Sequence, residues 1–295
     1  MKKTGFIAIV GRPNVGKSTL LNAILGEKVA IVSNKPQTTR NRITGIFTRD
    51  EEQFVFLDTP GMHNPKNSLG EFMVKAADSS MREADAVVLV VDTGKEISAV
   101  EESVIAYLKK SGIPAVLALN KIDQYRREEL AECISRYAQR HDFSAFVPIS
   151  ARSGKNVPEL LDECAKFLGE SPWFFPEDMV TDQPERQIAA EIIREKILRT
   201  LNKEVPHGTA VVIEEFKDEE TLVRIRAEIF CEKASHKGII VGKNGASLKL
   251  IGTYAREDLE KMLGVKVYLN LWVKVKENWR ESARTVSNFG YRDET

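Results

Sequence analysis

Residues 11–18 read Gly-Arg-Pro-Asn-Val-Gly-Lys-Ser and stand between an apolar run, Phe6–Val10, and an amphipathic stretch, Lys17–Leu25. No other feature constrains the fold as much. The spacing is G-x-x-x-x-G-K-[ST], and its setting is a buried strand running into a helix. Glycines let a backbone curl until several N–H groups aim at one point, and the N-terminus of the next helix adds the positive end of its dipole. Such a loop holds phosphate. Lys17 is expected to reach the β- and γ-phosphates of a nucleoside triphosphate, and the Ser18 hydroxyl to ligate magnesium. Gly11, Arg12, Pro13, Asn14, Val15, Gly16 and Thr19 complete the expected cradle.

Four more short apolar runs follow: Phe54–Leu57, Ala86–Val91, Ala115–Leu119 and Phe146–Ile149. They alternate with helical patterns at Leu69–Ala84, Ser98–Lys110, Arg127–Arg140 and Val157–Leu168. Runs that are apolar throughout suit strands covered on both faces. Residues 1–170 therefore read as a doubly wound α/β domain with a mostly parallel sheet. Gly169 is a helix stop, and Pro172 and Pro176 flank Trp173-Phe174-Phe175 without regular period. This predicts a linker over 171–182 whose aromatic residues pack on one of the domains. With 295 residues the chain has room for two domains, the second over 183–295.

Composition narrows the classes further. The 43 basic and 43 acidic residues and the 42% apolar content exclude a disordered polyelectrolyte and a uniformly basic nucleic-acid coat. Cys133, Cys164 and Cys231 lie far apart with no C-x-x-C pair, which argues against a zinc ribbon or a disulfide framework and suits a reducing compartment. No run approaches the ~18 apolar residues of a membrane span. Lys2 and Lys3 before Phe6–Val10 imitate the start of a signal peptide, but the run is too short and meets the glycine loop.

Three more loops follow apolar runs. Asp58-Thr59-Pro60-Gly61 comes after Phe54–Leu57; Asp58 is expected to hold magnesium through water and the Gly61 amide to meet the γ-phosphate. Alone this tetrapeptide is equally good β-turn chemistry. Asn120-Lys121-Ile122-Asp123 comes after Ala115–Leu119. A carboxylate only accepts, so Asp123 can take the N1–H and N2–H pair of guanine, whereas adenine offers an acceptor there. Lys121 is expected to lie over the base and Asn120 to tie this loop to the phosphate loop. Ser150-Ala151 follows Phe146–Ile149, and the Ala151 N–H is placed for guanine O6. Each loop is weak by itself, but four in the order phosphate, magnesium, base, base fall at strand ends, where open α/β sheets bind ligands.

Lys35-Pro36-Gln37-Thr38-Thr39-Arg40 lies in the long connection before Asp58. A threonine there can complete the magnesium shell when the γ-phosphate is present; Thr39 is preferred over Thr38 because it directly precedes Arg40, as in related phosphate-loop GTPases. Position 62 is Met, whose thioether cannot orient the attacking water. Backbone groups of 35–40, a bound cation or a partner remain for that task, and intrinsic turnover is expected to be slow. Asn14 is the expected ligand if the cation is potassium.

The second domain has the order α-β-β-α-α-β: Pro184–Leu201, Thr209–Phe216, Leu222–Ile229, Ser235–Val241, Ala246–Leu263 and Val265–Val275. Between the two middle helices stands Gly242-Lys243-Asn244-Gly245. A helix–GxxG–helix loop of this type clamps the backbone of about four nucleotides in KH modules. Gly238, Ile240 and Val241 are expected to supply an apolar wall for bases, and Lys237, Lys243 and Lys249 the charge. Residues 224–284 hold 13 basic against 7 acidic side chains, and 182–223 hold 10 acidic against 6 basic, so the neutral total hides a polarised domain. The element order is that of the type II arrangement, which gives an α+β KH domain smaller than the first. A small domain with an ordinary glycine turn and a solvated basic face is the alternative.

Taken together, Gly11–Ser18, Gln37–Arg40, Asp58–Gly61, Asn120–Asp123, Ser150-Ala151 and Gly242–Gly245 resemble the Era family of ribosome-associated phosphate-loop GTPases, over nearly the whole chain. The resemblance implies hydrolysis of GTP to GDP with magnesium, and binding to the 3′ region of 16S ribosomal RNA during assembly of the 30S subunit. It also implies a cytoplasmic protein with a weak peripheral inner-membrane fraction, and no small-molecule substrate other than GTP. Met62 matches the family's usual non-polar residue. Two rivals stand beside it: an RNA-binding scaffold that GTP merely stabilises, and a metabolic phosphate-loop kinase, against which Asn120–Asp123 argues.

Overall fold

The computed structural model describes residues 1–62, 65–94 and 96–292. The chain separates into two compact units between Asp182 and Gln183, with the short stretch Pro65–Phe72 counted in the second.

The first unit runs β1 (Lys3–Val10), α1 (Lys17–Leu25), β2 (Ile43–Arg49), β3 (Glu52–Asp58), α2 (Ser68–Glu83, from Met73 onward in this unit), β4 (Ala86–Asp92), α3 (Ala99–Ser111), β5 (Ala115–Asn120), α4 (Arg127–Ala138), β6 (Ala145–Pro148), α5 (Val157–Ala165) and β7 (Gly169–Glu170). The sheet order is β2-β3-β1-β4-β5-β6, with β7 laid antiparallel on β1. The pairings of β1 with β3 and β4, of β4 with β5 and of β5 with β6 are parallel. Alternate residues of each strand feed the two faces. Ile7, Ile9, Phe54, Phe56 and Val88 pack with Leu20, Leu21, Leu160 and Leu161 of α1 and α5. Ala8, Val10, Val87, Leu89 and Val91 pack with Val104, Ile105, Leu108, Cys133 and Tyr137 of α3 and α4. This two-sided burial is why the strands read as unbroken apolar runs.

Two strands escape that pattern. β2 is an edge strand whose apolar residues are interrupted by Thr44, Gly45 and Thr48; it pairs antiparallel with β3. Gly169–Glu170 adds a short strand to the sheet just before the expected linker. The segment after it is fastened to this unit as well. The fully buried Gln53 accepts from Phe174 N and Phe175 N through Oε1 (2.9 and 3.0 Å) and donates to Phe175 O through Nε2 (2.9 Å). Phe174 stacks on Phe6 at 5.2 Å, and Ile46 N donates to Val180 O at 2.8 Å.

The second unit contains α6 (Glu185–Thr200), β8 (Ala210–Asp218), β9 (Leu222–Cys231), α7 (Ala234–Val241), α8 (Ala246–Leu263), β10 (Lys266–Val275) and α9 (Ala283–Asn288). Its sheet order is β10-β9-β8; β8 and β9 are antiparallel, β9 and β10 parallel. One face of the sheet buries Val223, Ile225, Ala227, Ile229, Val267 and Val273 against Ile192, Ile193, Ile197, Ile251, Ala255 and Leu259 of α6 and α8. Residues after β10, opaque to sequence reading, form a further small core. Trp279 is fully buried, donates from Nε1 to Gly208 O at 2.9 Å, and packs against Phe289 and Tyr291.

Candidate functional site

The loops after β1, β3, β5 and β6 meet at the carboxyl ends of the parallel strands. Gly16 stands at the start of α1 with φ +104°, and a Cβ on it would lie 2.3 Å from Asn120 Nδ2, so the position admits glycine alone. No side chain caps α1. Its first amides are thereby left to an anion, which is the requirement of a phosphate site. Lys17 is buried; its Nζ donates to Gly11 O and Arg12 O, both at 3.1 Å. Burial pushes the ammonium down to about 8, and the Asp58 charge opposes that shift. A triphosphate in the loop supplies the negative charge that the buried ammonium lacks.

Three side-chain oxygens converge beside it. Ser18 Oγ donates to Asp58 Oδ2 at 2.7 Å and lies 2.8 Å from Thr39 Oγ1. Asp58 is fully buried, and its second oxygen, Oδ1, has no hydrogen-bond partner. Burial raises the carboxyl to about 6, against Lys17 and the Ser18 hydrogen bond, which lower it. A buried carboxylate oxygen without a donor is costly unless a cation faces it. Hydroxyl and carboxylate oxygens are the donors that magnesium takes, so these residues fit that ion. Thr38 is turned elsewhere, to Ser33 Oγ (2.8 Å) and Lys35 O (2.6 Å). The cavity over the loop is lined by Pro13, Asn14, Lys17, Ser18 and Thr19 on one wall and by Gln37, Thr38, Thr39 and Gly61 on the other. Asn14 donates from Nδ2 to Asn34 O at 3.0 Å.

The base loops interlock around Asn120. Its Nδ2 donates to Val15 O at 2.7 Å, and its Oδ1 accepts from Lys121 N at 2.8 Å and from Ala151 N at 2.9 Å. The sequence expects the Ala151 N–H to face guanine O6; the structure has it donating to Asn120 Oδ1. Asp123 is exposed and accepts from Ser150 Oγ at 2.6 Å, a bond that holds its carboxyl below the usual range. The carboxylate is therefore charged and open to a base. Lys121 Nζ donates to Asn14 O at 3.0 Å and to Asp92 Oδ2 at 2.9 Å, and Tyr125 donates to Asp92 Oδ1 at 2.9 Å. Asp92 and Tyr125 escaped the sequence reading. The available signal was that Asp92, like Asp58 and Asn120, is the last residue of its strand.

Several expected nucleotide contacts lie elsewhere. The Thr59 side chain is fully buried and donates to Ile9 O at 2.9 Å, so it pins the loop to β1. Val15 points into the core and Pro60 is buried; only backbone of Val15 reaches the site. The Arg12 guanidinium turns toward the buried Glu101 of α3, 3.4 Å away. Met62 packs against the α3–α4 side of the sheet.

In the second unit, Gly242 closes α7 with φ +75°, and a Cβ there would sit 2.7 Å from that of Ser247. Asn244 and Gly245 continue the left-handed path (φ 52° and 77°) into α8. Lys237, Gly238, Lys243, Asn244 and Lys249 are exposed around this loop, and Val241 is half-buried. Ile240 corrects the expectation of an apolar wall: it is fully buried in the core, and its neighbour Ile239, 50% exposed, is the residue on the surface. Successive helical residues point about 100° apart, so Ile240 turns into the core while Ile239 stays on the surface.

A phosphate loop, a buried magnesium-type oxygen set and the exposed Asp123 carboxylate in the Asn120–Asp123 loop define a phosphate-loop GTPase, and the helix–GxxG–helix unit adds a KH-type module. The likenesses agree. The family description "50S ribosome-binding GTPase" matches residues 6–121, and "KH domain" matches residues 204–280. "GTPase Era" of Clostridium kluyveri is 52% identical over 293 residues, covering 99% of this chain and all of that protein. "GTPase Era" of Clostridioides difficile is 52% identical over 296 residues with the same coverage. A crystal structure of a variant Aquifex aeolicus Era bound to GDP and tetrafluoroaluminate superposes with TM-score 0.95 at 42% identity, covering 98% of this chain and 99% of that one. An Era complex with MgGDPNP and nucleotides 1506–1542 of 16S ribosomal RNA gives 0.96 at 42% identity over 99% of both chains. The chain belongs to the Era family of GTPases.

Proposed function

We propose that this chain uses GTP binding and hydrolysis as a switch on its binding of the 3′ end of 16S ribosomal RNA, in the service of 30S subunit assembly. The observation that carries this reading is the full-length likeness to the Era complex that holds both MgGDPNP and nucleotides 1506–1542.

The chemistry is attack of water in line with the γ-phosphorus: the new P–O bond forms as the bond to the β–γ bridging oxygen breaks, and GDP and inorganic phosphate leave. Lys17 and the free amides of α1 hold the β- and γ-phosphates and meet the charge that grows on the bridging oxygen. Ser18 and Thr39 are the residues that would ligate magnesium, with Asp58 behind them; the ion neutralises the phosphate oxygens. The Gly61 N–H donates to a γ-phosphate oxygen, and the loss of that oxygen releases both the 35–40 and the 58–62 loops. Asp123 selects guanine. Met62 positions no water, so turnover of the isolated chain is slow; a stimulating potassium ion would be held by Asn14 through Oδ1.

In the second unit the Gly242–Gly245 amides and Lys237, Lys243 and Lys249 hold the sugar-phosphate backbone. Among the described residues no helix is long and apolar enough to cross a membrane; a cytoplasmic chain with a peripheral membrane fraction is the proposed location, checked by fractionation. The deciding experiment pairs single-turnover GTP hydrolysis with titration of RNA 1506–1542. Lys17→Ala should abolish hydrolysis, and Lys243→Asp with Asn244→Asp should abolish RNA binding and leave hydrolysis intact. RNA binding that survives the second pair of changes overturns the assignment of the loop.

A further inference from the structure

The sheet of the second unit has a second face. Side chains alternate along β9 and, less sharply, along β10, and the set that misses the helices points outward: Arg224, Arg226 and Glu228 on β9, Tyr268, Asn270 and Trp272 on β10; Glu228, beside Trp272, is ion-paired with Lys274. Tyr268 is 54% and Trp272 59% exposed, the two most open ring residues among the described residues. The parallel register sets Tyr268 beside Arg224 and Asn270 beside Arg226. The Arg224 guanidinium lies 5.6 Å from the Tyr268 ring centre and is ion-paired with Glu219 at 2.9 Å, and Arg226 stands in register with Glu215 of β8.

The chain covers the other end of this face itself. Phe289, from the C-terminal helix, stacks on Phe230 of β9 at 4.4 Å. One end of the face thus already receives a flat ring, and the end carrying Tyr268 and Trp272 does not.

We propose that this open end is a second RNA contact, on which unstacked bases of single-stranded RNA rest against Tyr268 and Trp272 while Arg226 and Asn270 meet the backbone and base edges between them. Four residues of strand separate the rings by about 13 Å, a span that a few unstacked nucleotides cover. Base–aromatic stacking flanked by arginine is how single strands are held without strict sequence choice. The acids at this face are paired, Glu228 with Lys274 and Glu219 with Arg224, and residues 224–284, which also include the GxxG loop, carry 13 basic against 7 acidic side chains. β10 is the edge strand of its sheet, and α7 and α8 pack on its inner face. A strand leaving the GxxG loop therefore crosses one free sheet edge to reach the rings. The idea rests on the 16S reading above and extends it, since a KH loop grips about four nucleotides and the RNA in the related complex spans 1506–1542.

The test uses the full chain and RNA 1506–1542, read by anisotropy and by tryptophan fluorescence in a Trp173→Phe background. Trp272→Ala should weaken RNA binding by about ten- to a hundredfold, the range of one lost stack. Trp272→Phe should stay within about threefold of the parent, and GTP hydrolysis should not change. RNA should quench Trp272, leaving only the buried Trp279 emission. Equal RNA affinity in parent and Trp272→Ala overturns the second contact and leaves the 16S reading standing. No binding by the parent overturns both. A parent dimer that Trp272→Ala turns into monomers at unchanged RNA affinity assigns the face to a second copy of the chain, and also overturns the proposal.

Discussion

Ser18 Oγ donates to Asp58 Oδ2 at 2.7 Å, joining the start of α1 to the end of β3, while the other oxygen of the same carboxylate is buried with no partner. The pair arises because both residues end up at the carboxyl edge of adjacent parallel strands. It makes Asp58 a buried acid that waits for a cation.

That arrangement gives a pH dependence. Native Asp58 keeps its proton up to about 6, whereas the unfolded group loses it at 3.8. Between those values the native chain binds more protons, so stability without nucleotide or metal falls as pH rises from about 4 to 6, by about 3 kcal/mol. Asp58→Asn should flatten this slope. Saturating magnesium and GTP should reverse it, because a cation favours the ionised form. Urea titrations in EDTA at pH 4.5 and 6.5 measure the effect; an identical slope in Asp58→Asn and the parent would refute it.

Thr39 and Thr38 are adjacent but face different partners, Ser18 and Ser33. Thr39→Ala should raise the magnesium concentration needed for hydrolysis by tenfold or more, whereas Thr38→Ala should stay within about threefold. Single-turnover rates against magnesium concentration separate the two. A larger effect of Thr38→Ala would move the magnesium ligand by one residue.

Asp123 is held ionised by Ser150 and is open to a base. Asp123→Asn turns one acceptor oxygen into a donor that collides with guanine N2–H. GTP affinity should fall by about 10- to 100-fold, the loss expected for a bidentate base pair of contacts. Xanthosine triphosphate, which has a carbonyl in that place, should gain. Calorimetry with the guanine, adenine and xanthine triphosphates reads both changes, and unaltered guanine preference would remove Asp123 from base selection.

The nucleotide loops were legible because each motif begins where an apolar run ends, so pattern and position reinforce one another. Asp92 and Tyr125 were not, since a single residue has no spacing to recognise, and Asp92 meets Lys121 and Tyr125 only when β4 and β5 pair. β2 was missed because Thr44, Gly45 and Thr48 break its apolar run, although Ile43–Ile46 are all buried. Ile240 was misassigned because composition marks an apolar wall but only helical phase says which residue is outside. Thr59 looked like a ligand by its place in Asp58–Gly61, yet its hydroxyl is taken by a strand carbonyl that sequence does not reveal.

The residues after β10 were the least legible, and the structure gives them a structural task. Trp279 is fully buried, its indole N–H is bonded to Gly208 O, and its ring is flanked by Phe289 and Tyr291. Trp279→Ala empties that core and leaves the Gly208 carbonyl unpaired. The cost should be about 3–5 kcal/mol, enough to lower the unfolding midpoint of the second unit by many degrees. Trp279→Phe should recover most of the packing but not the hydrogen bond, leaving a deficit of about 1–3 kcal/mol. GTP binding should be unaffected in both, because the phosphate and base loops belong to the first unit. Calorimetric unfolding with and without GTP resolves the two units: the transition that GTP raises should keep its midpoint, and the other should fall. If both transitions fell together, the C-terminal segment would be stabilising the nucleotide unit as well.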